Sequence, residues 1–346
     1  MFLVVSKNYK GVFHIKKNIK RKKRGSKLLR TAGTALGVAA VAAATTYATT
    51  YHMVKLAAHR SVPKFIENAK KQVSGSRKDI SAMLEEAEAG AKALESAQTE
   101  LVEISADDGA TLIGHWYPAE KPKRIIIAMH GWRSSWSFDF GLAAELWHND
   151  GCSVLFAEQR GQNNSGGDYM GFGLIERYDC RSWIKWVIEN HNKGEKLPIY
   201  LSGISMGATS VLMAAGLDLP SCVHGITADC GFTSLHEIWD HVVSRNLHLP
   251  YKLYGFMAED MFRRMANIED SDYSTLDALK YSKIPVLFIH GTDDSFVPIK
   301  MTYENYKACT APKRLLIVPG AEHGLSFLVE KEKYIQTVRD FWREFD

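Results

Sequence analysis

Ser205 stands in Gly203-Ile204-Ser205-Met206-Gly207, the pattern G-x-S-x-G. A serine hydroxyl is a weak nucleophile until a neighbouring base takes its proton. Ahead of the pattern, Leu197-Pro198-Ile199-Tyr200-Leu201 is a short apolar run of strand type. Behind it, residues 208–215 read as a buried helix. A strand, a tight turn and a helix together hold a serine in a strained backbone, its hydroxyl above the sheet at the positive end of a helix. Gly203 and Gly207 remove side chains where strand and helix nearly touch. An ordinary glycine turn before a helix carries the same letters, but the two flanks favour a nucleophile.

The base should lie late in the chain, on a loop at the strand ends. His323 is one of 13 histidines, and its place singles it out. It sits in Val318-Pro319-Gly320-Ala321-Glu322-His323-Gly324, after the last strand-like run and before the last helix. Its imidazole needs a carboxylate to fix the tautomer and stabilise the charge. The segment from Phe288 to Pro298 offers two adjacent candidates. In G-x-x-D-x-x-V-P the acid stands four residues before the proline, at Asp294, while Asp293 suits the turn. Asp229, just past its own strand, is a third candidate. An oxyanion needs two aligned N–H donors. Met206, following the serine, offers one, and Trp132 in His130-Gly131-Trp132 offers the other.

These loops need a frame. Strand-like runs cover 99–105, 111–117, 124–129, 153–157, 197–201, 223–228, 285–290 and 314–318, with Asp107-Asp108-Gly109 as a hairpin turn between the first two. Helical patterns cover 138–149, 175–191 and 331–345. The alternation predicts an α/β domain over 99–346, a mostly parallel eight-stranded sheet with helices on both faces. Residues 232–283 break it; they are rich in aromatics and Met and read as a small helical cap insertion over the site.

The first 98 residues differ in kind. Of 43 Lys and Arg, eleven fall in residues 1–30 with no acid, which leaves 32 basic against 39 acidic residues in the remainder. A mildly acidic catalytic part argues against nucleic acid as partner. Residues 31–54 hold no Asp, Glu, Lys or Arg. They are expected to form a transmembrane helix behind a basic cytoplasmic tail, which places the domain outside the cytoplasm. The segment is rich in Ala and Thr, so its apolar signal is weak. A cleaved signal peptide with secretion and a soluble helix behind a basic tail are the alternatives. Residues 55–98 read as a helical stalk or linker, with Ile80, Leu84, Ala87, Ala91 and Leu94 as an apolar stripe. The five cysteines are scattered without C-x-x-C spacing; they read as core thiols, and no metal or cofactor site is expected.

The blocks His130-Gly131-Trp132, Glu158-Gln159-Arg160-Gly161 with Ser165-Gly166-Gly167, Gly203 to Gly207, Asp229 to Ser234, His290 to Pro298 and Gly320 to Gly324 resemble those of α/β-hydrolases. They are most similar to bacterial Bem46-like and prolyl-oligopeptidase-like serine hydrolases. Glu158-Gln159 departs from the Asp-x-Arg-Gly usual in such relatives, in a loop read as structural. The resemblance implies a Ser205–His323–Asp294 triad acting through an acyl-enzyme on a small-molecule ester or related acyl bond. Peptidase and acyltransferase activity are alternatives within the fold, and a non-catalytic binding scaffold is the alternative outside it.

Overall fold

The structure is a computed structural model that describes residues 11–61, 78–194 and 196–346. The first ten residues of the basic tail and residues 62–77 of the expected stalk lie outside these. The chain divides into two compact units, one up to Met53 and one from Val54 to Asp346.

Residues Gly11–Ala58 form one helix, α1. Among the described residues no helix is long and apolar enough to cross a membrane. The expected transmembrane helix over 31–54 is therefore corrected to a weakly apolar helix: alanine and threonine make the segment helical and uncharged without making it lipophilic enough.

The second unit is built on eight strands: β1 (Glu100–Ser105), β2 (Thr111–Tyr117), β3 (Arg124–Met129), β4 (Cys152–Ala157), β5 (Ile199–Ile204), β6 (Val223–Asp229), β7 (Val286–Gly291) and β8 (Lys313–Val318). They lie in the order β1-β2-β4-β3-β5-β6-β7-β8. β1 and β2 pair antiparallel, as do β2 and β4; the others are parallel. β3, β4 and β7 are buried along their whole length, as continuous apolar runs covered on both faces must be.

One face carries α4 (Glu176–His191), α5 (Met206–Ala214) and α8 (Thr275–Tyr281); the other carries α3 (Trp136–Asn149) and α11 (Lys331–Phe345). Helix α2 (Lys78–Glu95) lies on α3, with Ala87, Ala91 and Leu94 buried. Gly90 and Gly141 let the two backbones meet: a Cβ on Gly141 would lie 2.4 Å from the Gly90 carbonyl carbon. Ser137 Oγ donates to Glu95 at the same crossing. Between residues 232 and 283 lie α6 (Leu235–His241), a π-helical turn at Val242–Asn246, α7 (Tyr251–Met265) and α8, joined by loops. Beyond β7 follow α9 (Ile299–Ala308) and the short α10 (Ser326–Val329). All five cysteines are buried.

Candidate active site

The parallel strands end on one rim, and the loops leaving β3, β5, β6, β7 and β8 meet there. The turn after β5 is the tightest. Ser205 has φ 55° and ψ −117°, a region that only glycine adopts without cost. The strain follows from close packing. A Cβ on Gly203 would sit 2.4 Å from the Gly207 carbonyl carbon, and one on Gly207 would sit 1.9 Å from the Met129 carbonyl oxygen. The Ser205 N–H donates to the Asp229 carbonyl at 2.8 Å, which ties the turn to the end of β6.

His323 follows β8 and reaches back to this turn. Its Nδ1 donates to Asp294 Oδ2 at 2.7 Å. That leaves Nε2 as acceptor for the Ser205 hydroxyl, 2.9 Å away. The structure thus brings Ser205, His323 and Asp294 into one hydrogen-bonded chain. Asp294 is fixed twice over: its Oδ1 accepts the backbone N–H of Phe296 at 2.9 Å and of Val297 at 2.8 Å. Burial pushes this carboxyl up, but hydrogen bonds from His290 and His323, the His323 charge and the Val297 N–H outweigh it, and the group sits well below the usual carboxylate range.

The other two aspartates do different things. Asp293 is exposed; it accepts from Thr292 Oγ1 at 2.7 Å, and its N–H donates to Ala321. Asp229 is buried, accepts from Ser326 Oγ at 3.1 Å, and is pushed up to about 6 by burial.

The turn after β3 lies against the serine. A Cβ on Gly131 would meet Ser205 Cβ at 3.4 Å. Gly131 N–H is taken by Asp139 Oδ2 at 2.6 Å, and Arg133 N–H by Gln162 Oε1 at 2.5 Å, so Trp132 stands between two donors already engaged. Met206 opens α5, where first-turn N–H groups have no partner within the helix. Met206 is thus the chain neighbour of Ser205, and Trp132 follows the glycine that lies against it. The Trp132 ring faces Phe296, centroids 6.2 Å apart, and Phe296 in turn faces His323 at 5.1 Å.

Three features were not apparent in the sequence. His290, at the end of β7, places Nε2 3.2 Å from Asp294 Oδ2 and 2.9 Å from the Val297 carbonyl, while its Nδ1 meets Thr302 Oγ1 at 2.6 Å. Both neighbours of Nε2 are acceptors, so Nε2 carries the proton and Nδ1 accepts from Thr302. Gln159 is buried beneath the β3 turn. Its backbone N–H donates to His130 Nε2 at 3.1 Å, and its side-chain amide donates to the His130 carbonyl. Cys230 has φ 47°. Its sulfur shares a 4.8 Å neighbourhood with ligand atoms of Asp294 and His323, and burial pushes its thiol well up.

Solved structures of similar shape are hydrolases. An esterase of Pyrococcus furiosus matches with a TM-score of 0.58 at 23% identity, covering 72% of this chain and 92% of that one. A dienelactone hydrolase of Anabaena variabilis matches with a TM-score of 0.51 at 18% identity, covering 72% and 98%. At these identities the likeness shows the α/β-hydrolase fold. In sequence, the chain is 27% identical over 227 residues to the uncharacterized protein YqkD of Bacillus subtilis, covering 66% of this chain and 73% of that protein. It is 27% identical over 242 residues to human protein ABHD12B, covering 65% and 63%. The model of the prolyl oligopeptidase family matches residues 136–345, well over half of the chain and the whole stretch from α3 to α11. A serine elbow, a histidine loop and a buried acid on this sheet are thus accompanied by a family match across the same residues, and the chain belongs to the prolyl oligopeptidase family of α/β-hydrolases.

Proposed function

We propose that the protein is a serine hydrolase that cleaves carboxylic esters or related acyl bonds through an acyl-enzyme. The observation that carries this reading is the chain Ser205 Oγ–His323 Nε2 at 2.9 Å and His323 Nδ1–Asp294 Oδ2 at 2.7 Å, on a serine held at φ 55°. Ser205 Oγ attacks the acyl carbon while His323 takes its proton; the imidazolium is stabilised by the ionised Asp294. Backbone N–H groups of Met206 and Trp132 receive the oxyanion. His323 returns the proton to the leaving group. Water, deprotonated by the same histidine, then releases the acid and restores Ser205.

Helices α6 and α7, between β6 and α8, serve as a cap over the acyl site. Cleavage of peptide bonds is the second reading, and the family match supports it. For location, the support is the sequence pattern: eleven Lys and Arg ahead of an uncharged stretch rich in small residues is the order of a signal peptide, whose cleavage would release the domain outside the cytoplasm. Carbonate extraction and protease protection of intact cells test it.

The deciding experiment treats the full chain with a fluorophosphonate probe and measures hydrolysis of an ester chain-length series beside peptide amides. Labelling at Ser205 with ester turnover supports the proposal. Turnover of amides alone moves the reading to a peptidase, and an inert Ser205 ends it.

A further inference from the structure

The last turn of α1 and the residues after it end on the β3 turn. Val54 and Ala58 are fully buried, in one apolar cluster with Met206, Phe232 and Val297. A helix leaves its last four carbonyls without partners inside the helix. Here each has one. Lys55 O accepts from His59 N–H at 3.0 Å, and Ala58 O from Met170 N–H at 2.8 Å. Leu56 O accepts from the Arg133 guanidinium at 2.8 Å and Ala57 O from the Trp132 indole N–H at 2.8 Å. The same Arg133 nitrogen also donates to His59 O at 2.9 Å. Arg60 continues the seam, donating to Gly167 O at 3.0 Å and Asn163 O at 3.2 Å.

Two of these partners, Trp132 and Arg133, form the turn whose main chain lies against Ser205. Arg133 has φ 52°, a left-handed conformation that persists in a long side chain only where its surroundings fix it. The indole bond fixes the side chain of the residue whose backbone N–H the hydrolase reading assigns to the oxyanion. A cation at a helix C-terminus is also favourable in itself.

We propose that residues Val54–Arg60 are a positioning element of the active site, with Arg133 as the positioning residue that clamps them to the oxyanion turn. This rests on the hydrolase reading above. The segment touches no reacting atom; it sets the direction of the Trp132 N–H. Its loss costs transition-state stabilisation and leaves substrate binding in place.

The test uses the full chain carrying Arg133→Ala, Arg133→Lys or Trp132→Phe. Ester turnover is expressed per site titrated with fluorophosphonate. Arg133→Ala is expected to lower kcat by about 10- to 100-fold, less than the roughly 10²- to 10³-fold cost of removing an oxyanion donor outright because the donor is misdirected and not deleted, with KM changed less than about 3-fold. Arg133→Lys keeps a cation that can reach one carbonyl and is expected to recover part of the loss. Trp132→Phe removes the indole N–H bond to Ala57 together with the five-membered ring, keeps an aromatic ring on Phe296, and is expected to lower kcat in the same direction. Unchanged kcat per titrated site in Arg133→Ala, even with a lowered Tm, overturns the proposal while the hydrolase reading stands. If Arg133→Ala does not fold, Trp132→Phe decides, and wild-type kcat there overturns it. A wild-type chain that neither labels nor turns over removes both readings together.

Discussion

The oxygen of Asp294 that accepts from His323 at 2.7 Å also accepts from His290, whose Nε2 lies 3.2 Å away. His290 is fully buried and held at its other nitrogen by Thr302. The carboxylate therefore has a donor on each of two imidazoles, and the proton of the second is pinned by the Val297 carbonyl. A group so surrounded stays ionised far into acid.

Replacing His290 is expected to weaken catalysis without touching substrate. In His290→Ala, Asp294 loses one of the donors that hold it below the usual carboxylate range and rises toward about 3.9. Activity should then fail earlier on acidification than in the wild type. His290→Gln keeps a side-chain N–H and should restore part of the acid limb. Rate against pH for the three proteins is the measurement, and superimposable acid limbs would refute the role.

The three aspartates should separate cleanly. Asp294→Asn leaves His323 in the wrong tautomer and should cost about 10⁴-fold in kcat, as in serine proteases. Asp293 is a turn residue, so Asp293→Asn should cost about 1 kcal/mol or less of stability and little activity. Asp229 is engaged by Ser326 and Tyr334. Asp229→Asn should keep most activity, and a loss matching that of Asp294→Asn would transfer the acid's role to β6.

Stability should depend on pH in two opposed ways. Asp294 is depressed in the folded state, so its contribution is present above the unfolded value of about 3.9 and is lost as pH falls toward its lower folded value. Asp229, pushed up to about 6, does the reverse. The folded state keeps a proton that the unfolded state gives up, so stability declines as pH rises between about 4 and 6. Asp229→Asn removes that decline, and urea titrations at pH 4 and pH 7 should show it as a smaller difference than in the wild type.

At the elbow, conformation and space can be told apart. Ser205→Ala and Ser205→Gly should both lose fluorophosphonate labelling and most turnover. Only glycine relieves φ 55°, so Ser205→Gly should be the more stable of the two by about 1 kcal/mol. Gly207→Ala meets the Met129 carbonyl oxygen at 1.9 Å and should lose soluble protein or about 3 kcal/mol and more. Gly109→Ala, with nothing within 4 Å and φ +83°, should cost only about 1 kcal/mol.

What was legible in the sequence was what the chain punctuates. Ser205, Asp294 and His323 each lie in a glycine- or proline-marked loop after an apolar strand, so order and spacing located them. Helix α3 begins at Trp136, two residues before the apolar pattern indicates, because Ser135 caps it by accepting from Phe138 N–H at 3.1 Å. His290 was hidden because a histidine at a strand end has no signature until its neighbours are known. The contacts of Leu56, Ala57 and His59 with the β3 turn were hidden for a different reason: they use carbonyl oxygens, which every residue carries. The segment 31–54 misled because absence of charge is not the same as affinity for lipid, and alanine supplies the first without much of the second.

The five buried cysteines give the molecule an internal clock. Cys152 lies on β4, Cys180 on α4, Cys222 just ahead of β6, Cys230 just after it and Cys309 at the end of α9. A thiol reagent reaches each only when its own neighbourhood opens, and burial keeps Cys152 and Cys180 protonated, pushing the Cys152 thiol up to about 11. The rates at which these sulfurs become modified therefore report, layer by layer, which part of the sheet and its helices breathes first.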